Sequence, residues 1–348
     1  MTSVLSRRNA IAGSLGVGLS MGVVQKSKAQ QTPAPGIQRL HPTFDDLIEP
    51  DSTLETIMEG SIQSEGPVWI GGRDGHLLFS DVPGNVMRRW SARDGVSEFL
   101  RPSGYAGPPT RMLRAPGSNG MILARGAVVM ADSGNRGLAR LDLRTRSKKM
   151  LCRDFEGRRF NSPNDLVLSR DGSIYFTDPP YGLTGLQKSP WREMDYTGIF
   201  RLAPDGAVSL LDRSVPMPNG IGLSPDGRTL YASALGIGWL AWTLDAQGHP
   251  TDRRTFIDQK GVGVSDGDSL KIDAAGNMWA GTREGLNVFN PEGKGIGLIS
   301  TGGAVTNCEF GADGYLYITG GPRVVRTRVR ARKLTAGRLR PYAGRRGE

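Results

Sequence analysis

Ser169-Arg-Asp-Gly-Ser-Ile-Tyr-Phe-Thr-Asp178 reads as a Gly turn feeding a short apolar strand, and the same pattern returns along the chain. It recurs as Gly72-Arg-Asp-Gly-His-Leu-Leu-Phe-Ser-Asp81, Ala124-Arg-Gly-Ala-Val-Val-Met-Ala-Asp132 and Ser224-Pro-Asp-Gly-Arg-Thr-Leu-Tyr-Ala-Ser233. Two further copies are Asp273-Ala-Ala-Gly-Asn-Met-Trp-Ala-Gly281 and Gly311-Ala-Asp-Gly-Tyr-Leu-Tyr-Ile-Thr319. The turns fall roughly every 38 to 55 residues, the spacing of propeller blades of about four strands each. Six copies predict an all-β fold, a six-bladed β-propeller of four-stranded antiparallel blades over residues 45–330. Ring closure is expected to pair a strand near Leu54–Gly60 with the last repeat.

The 348 residues carry no Pro- or Ser-rich linker between repeats, which favours one large domain, and 49 glycines suit a turn-rich β protein. The formal net charge of +10 is concentrated at the ends. Of 44 basic and 34 acidic groups, four basic ones lie in residues 1–28, and ten basic ones and one acid lie in residues 321–348; 30 basic and 33 acidic groups remain between. Only Tyr342 interleaves with the charges of the basic tail at 331–348, which argues against nucleic-acid binding. After the N-terminus no run of 18 residues is apolar, so no membrane insertion of the mature chain is expected.

Arg7-Arg8 followed by a weakly apolar run from Ile11 to Val24, then Ser27-Lys28-Ala29, resembles a twin-arginine export signal over residues 1–29. The expected partner is the twin-arginine export machinery and the expected location is the periplasm. Residues 30–44 read as a spacer. Cys152 and Cys308 are expected to stay unpaired, and with three unclustered histidines they argue against a His/Cys zinc centre.

Ahead of four turns stand Glu65, Asn164, Asn219 and Asp268, each near a strand start. In a propeller such positions converge on the central channel. Asn and Asp before a strand also form turns, but four at one repeat phase favour a shared site. Two carboxylates and two amide oxygens are hard ligands carrying a charge of −2, which suits Ca²⁺, with Mg²⁺, Mn²⁺ or Zn²⁺ as alternatives.

The same residues sit in Ser-Glu-Gly-Pro-Val-Trp (64–69), Ser-Pro-Asn-Asp-Leu (162–166), Tyr-Phe-Thr-Asp-Pro-Pro-Tyr-Gly (175–182), Pro-Asn-Gly-Ile (218–221) and Thr-Asn-Cys-Glu-Phe-Gly (306–311). These runs resemble the SMP-30/gluconolactonase/regucalcin-like family. The resemblance implies a metal-dependent hydrolase that opens a lactone ring, most often an aldonolactone. It implies Glu65, Asn219 and Asp268 as metal ligands, Asn164 as the channel amide touching metal-bound water or substrate, and Asp268 as general base as well. Asp165 is expected to orient Asn164. The sequence departs from several sugar-lactone members at Ser162, where an arginine would hold substrate hydroxyls, and Arg159 or Arg111 is the expected substitute. It departs again at Asp132-Ser133-Gly134, where a channel histidine is missing.

No Gly-x-Gly-x-x-Gly helix start occurs, which disfavours nucleotide redox chemistry, and the Gly-x-Ser-x-Gly match Gly263-Val264-Ser265-Asp266-Gly267 follows the polar run Asp258-Gln-Lys-Gly261 rather than an apolar strand, which disfavours a serine acyl-enzyme elbow. Two other functions fit the same fold: a phosphotriesterase- or arylesterase-like hydrolase on the same cation, and a non-catalytic ligand-binding propeller.

Overall fold

The computed structural model describes residues 33–334. The expected signal at 1–29 and most of the basic tail lie outside the described residues. Within them the fold is a six-bladed β-propeller with almost no helix: one four-residue α-helix, Gln259–Val262, and two short 3-10 turns.

Each quoted repeat is the junction between the innermost strand of a blade and the next one outward. In the third blade, Leu166–Leu168 turns into Ile174–Asp178, followed by Gly198–Leu202 and Val208–Asp212. The turn is encoded locally. Asp171 Oδ1 accepts from Ser173 N at 2.9 Å, Asp226 from Arg228 N at 3.0 Å and Asp313 from Tyr315 N at 3.3 Å. An Asp that bonds the backbone two residues on mimics a turn, and the Gly that follows takes the positive φ a side chain would resist; at Gly172 it is 90°.

Blades one to four run from the channel outward in chain order. The sixth closes the ring: its inner three strands are Asn307–Phe310, Tyr315–Gly320 and Arg323–Arg328, and its outer strand is Glu55–Met58 from the chain's beginning, with Glu55 opposite Arg326 and Thr56 opposite Val325. That is the closure expected from the sequence.

The fifth blade has five strands, because Gly36–Arg39 pairs antiparallel with Gly295–Ser300 at its outer edge. This corrects the expected spacer at 30–44. The segment supplies an edge strand, and Phe44 behind it is fully buried, 6.3 Å from Trp279 between ring centroids. Gly297 makes that possible, since a Cβ there would collide with the Phe44 ring. The tail boundary at 331 also shifts. Arg330 N and Ala331 N donate to Leu47 O, and the Lys333 ammonium pairs with Glu309.

Six apolar clusters, one per blade interface, hold the ring together. Trp239, Leu270 and Phe289 join blades four and five; Trp69, Leu77, Tyr317 and Val324 join six and one. Burying such a side chain contributes on the order of 2 kcal/mol each. With the core placed between blades, the innermost strands are free to carry polar side chains into the channel.

Candidate active site

Asn164, Asn219 and Asp268 each stand two residues ahead of an innermost strand, at Leu166–Leu168, Ile221–Leu223 and Leu270–Ile272. Glu65 lies within the strand Ser64–Ile70, whose register shifts between Glu65 and Val68. Gly66 enables this, with φ of 51° and no Cβ where the Asn119 carbonyl approaches.

A belt of hydrogen bonds ties these positions together from blade to blade. Ser80 and Ser118 hydroxyls lie 2.8 Å apart, Gly120 N donates to Asn164 O at 2.8 Å, and Thr177 Oγ1 donates to Asn219 O at 2.6 Å. Ser233 Oγ donates to Asp268 O at 3.0 Å, Ser269 N to Thr306 O at 2.9 Å, and Thr306 Oγ1 to Ser64 O at 2.8 Å. The donor atoms are therefore mounted on a closed, rigid rim.

Glu65, Asn164, Asn219 and Asp268 line one cavity of about 330 Å³ at one mouth of the channel. Asp165 is buried below it. Its Oδ1 accepts from Leu166 N at 2.9 Å and its Oδ2 has no hydrogen-bond partner.

The two arginines expected to touch substrate are elsewhere. Arg159 Nη2 donates to Asn135 O at 2.7 Å, and the side chain lines a separate pocket with Arg136, Arg153 and Trp191. The hairpin Asp154–Phe155 with Arg158–Arg159 turns it away, and its backbone N–H donates to Glu193. Arg111 is exposed and does not line the cavity. Arg114 does, because the loop between blades one and two is pinned there by Arg114 N and Ala115 N on Gly182 O. Ser162 is no substrate contact either, since its Oγ accepts from Gly182 N at 2.8 Å.

Sequence reading also missed Asn119, Tyr181, Gln63 and Asp266 at the mouth. Asn119 had a usable signal, standing two residues before Met121–Ala124 just as Asn164 stands before its strand. Ser133 also lines the cavity, its hydroxyl donating to Pro163 O at 2.6 Å.

The electrostatics are those of crowded buried acids. Desolvation, with repulsion from Asp165, pushes the Glu65 carboxyl up from 4.5 to about 7, against donors from Gly66 N and Asn307. Desolvation and then Glu65 itself hold Asp268 well above the usual carboxylate range. Asn119, Asn164 and Asn219 each bury an Oδ1 without a hydrogen-bond partner. Among the described residues no three His, Cys, Asp or Glu side chains are placed to hold a metal ion between them, so an ion at this mouth would need amide oxygens beside the carboxylates. Orphaned hard oxygens beside mutually repelling carboxyls fit a divalent cation.

The pattern of the SMP-30/Gluconolactonase/LRE-like region matches residues 63–321. The chain belongs to this family. It is 42% identical over 311 residues to a gluconolactonase of Zymomonas mobilis, covering 84% of this chain and 86% of that one. A regucalcin of Xenopus laevis is 28% identical over 272 residues, 73% of this chain and 82% of that protein. Among solved structures, a Xanthomonas campestris gluconolactonase superposes with a TM-score of 0.74 at 29% identity, covering 86% of this chain and 96% of that one. This family member is a lactonase, a carboxylic ester hydrolase of the gluconolactonase-like kind.

Proposed function

We propose that the lactonase is metal-dependent, with Glu65, Asn219 and Asp268 holding a divalent cation, Ca²⁺ first, and a sugar or related lactone entering the cavity above it. The observation that carries this is the set of unpartnered buried amide oxygens facing two carboxyls of raised pKa in one cavity. When bound, the cation would polarise the lactone carbonyl and stabilise the oxyanion that develops.

The chain's own groups do the rest. Asp268, which accepts a hydrogen bond from the Asn219 side chain, accepts the proton of the attacking water. Asn164, buried with a free Oδ1, positions that water or a substrate hydroxyl. Arg114 and Tyr181 stand at the mouth, where the guanidinium meets ring hydroxyls and the opened carboxylate. Tyr181 is held in place by donating to Met217 O at 3.1 Å.

A panel of sugar and aliphatic lactones, followed by acid release with and without EDTA, tests the reading. Turnover should vanish with chelator and return with Ca²⁺; full turnover after exhaustive chelation contradicts it.

Residues 1–29 are read as the export signal, placing the mature enzyme in the periplasm. Replacing Arg7 and Arg8 by Lys should leave the precursor in the cytoplasm, and normal export of that variant contradicts this.

A further inference from the structure

Beneath the rim of donors the channel contains a cation of the protein's own. Lys271 lies on the innermost strand of blade five, Leu270–Ile272, with its side chain 18% exposed. Its Nζ donates to Asn307 Oδ1 at 3.0 Å and to Leu270 O at 3.3 Å. The nearest carboxylate oxygen, Asp165 Oδ2, is 3.7 Å away. Two of the three ammonium donors thus go to neutral acceptors, and the charge is not locked into a tight ion pair.

The groups facing Lys271 are Asp165, Cys308, Glu309 and Glu65. Glu309 is matched by Lys333, and burial pushes the Cys308 thiol up to about 12, so it stays neutral. That leaves Glu65 and Asp165, with Asp268 beside Glu65, against Lys271. Ligation of a hard cation requires Glu65 and Asp268 ionised, and the ammonium 3.7 Å from Asp165 Oδ2 favours its ionised form against desolvation, so three negative charges and one positive give −2.

The ammonium also fixes an amide. Because Lys271 can only donate, Asn307 presents Oδ1 to it and turns Nδ2 to Glu65 Oε2, 3.2 Å away. That oxygen also accepts from Gly66 N at 2.7 Å.

Resting on the metal reading above, we infer that Lys271 is a built-in counter-charge that sets the channel site at −2, weakens its electrostatic preference for trivalent over divalent ions, and positions Glu65 through Asn307. Selectivity follows from charge count. Removing a fixed positive charge strengthens attraction for a trivalent ion by half as much again as for a divalent one.

The test is competition between Ca²⁺ and Tb³⁺ on the chelator-stripped full chain, read by calorimetry and terbium luminescence. Lys271→Met should raise the Tb³⁺-to-Ca²⁺ affinity ratio by about tenfold or more. Lys271→Met with Asp165→Asn restores −2 and should return the ratio to within about threefold of the unaltered protein. Should Lys271→Met not fold, Asp165→Asn alone lowers the charge to −1 and should move the ratio the other way by a similar factor. A ratio unchanged in the folded single variants while both ions bind overturns the inference and leaves the metal site standing. If the unaltered protein binds neither ion, the metal reading fails and this inference falls with it.

Discussion

Asn307 Nδ2 donates to Glu65 Oε2 at 3.2 Å across 242 residues of chain, so the last blade orients the first blade's carboxylate. The contact couples ring closure to the site: Asn307 opens the strand that leads, three strands outward, to the Glu55–Met58 seal.

Asn307→Ala leaves a buried ammonium and a buried carboxyl each short of a partner. It should cost about 1–3 kcal/mol in urea unfolding and weaken Ca²⁺ binding severalfold. Unchanged stability and affinity would show that the link does not position Glu65.

Asp268→Asn keeps an oxygen ligand and loses the base. Lactone turnover should fall by about a hundredfold or more, with Ca²⁺ affinity changing less. Glu65→Gln should show the reverse balance, losing affinity first, because it removes half the ligand charge. Paired calorimetry and turnover measurements separate the two.

Phe44→Ala should destabilise the protein by about 3–5 kcal/mol, because the ring is fully buried against Trp279 and Ile48. Leu40→Ala, 57% exposed, should stay within about 0.5 kcal/mol. Equal effects would mean the segment before the first blade is not part of the core.

The fold was legible because its signal is local and repeated: Asp-Gly turns encode hairpins whose geometry needs no distant partner. Asn164, Asn219 and Asp268 were legible for the same reason, since one phase on one strand type faces the channel. Gly36–Arg39 was not. Four residues after two prolines carry little strand signal, and the strand exists only because the edge at Gly295–Ser300 accepts it. Arg114 and Tyr181 come from loops whose paths are set by distant hydrogen bonds, such as those onto Gly182 O. Proximity in sequence pointed to Arg159 and Arg111 instead. Lys271 had a signal, a lysine between two apolar strand residues, but its meaning depended on Asp165 and Asn307 from other blades.

Burial pushes both thiols from 9.0 to about 12, so at pH 8 the thiolate is about a thousandfold scarcer than in an exposed cysteine. Cys152 and Cys308 are unpaired. Iodoacetamide should label neither at pH 8 in the folded protein and both after unfolding, as read by intact mass. Rapid labelling of native protein at either position would contradict the environment described.

The most direct measurement is a crystal structure of the protein grown with Ca²⁺. A single ion should sit at the channel mouth with oxygens of Glu65, Asn219 and Asp268 at about 2.3–2.6 Å and Asn164 beside it. An ion bound elsewhere, or an empty channel in crystals of protein that still opens lactones, would contradict the account.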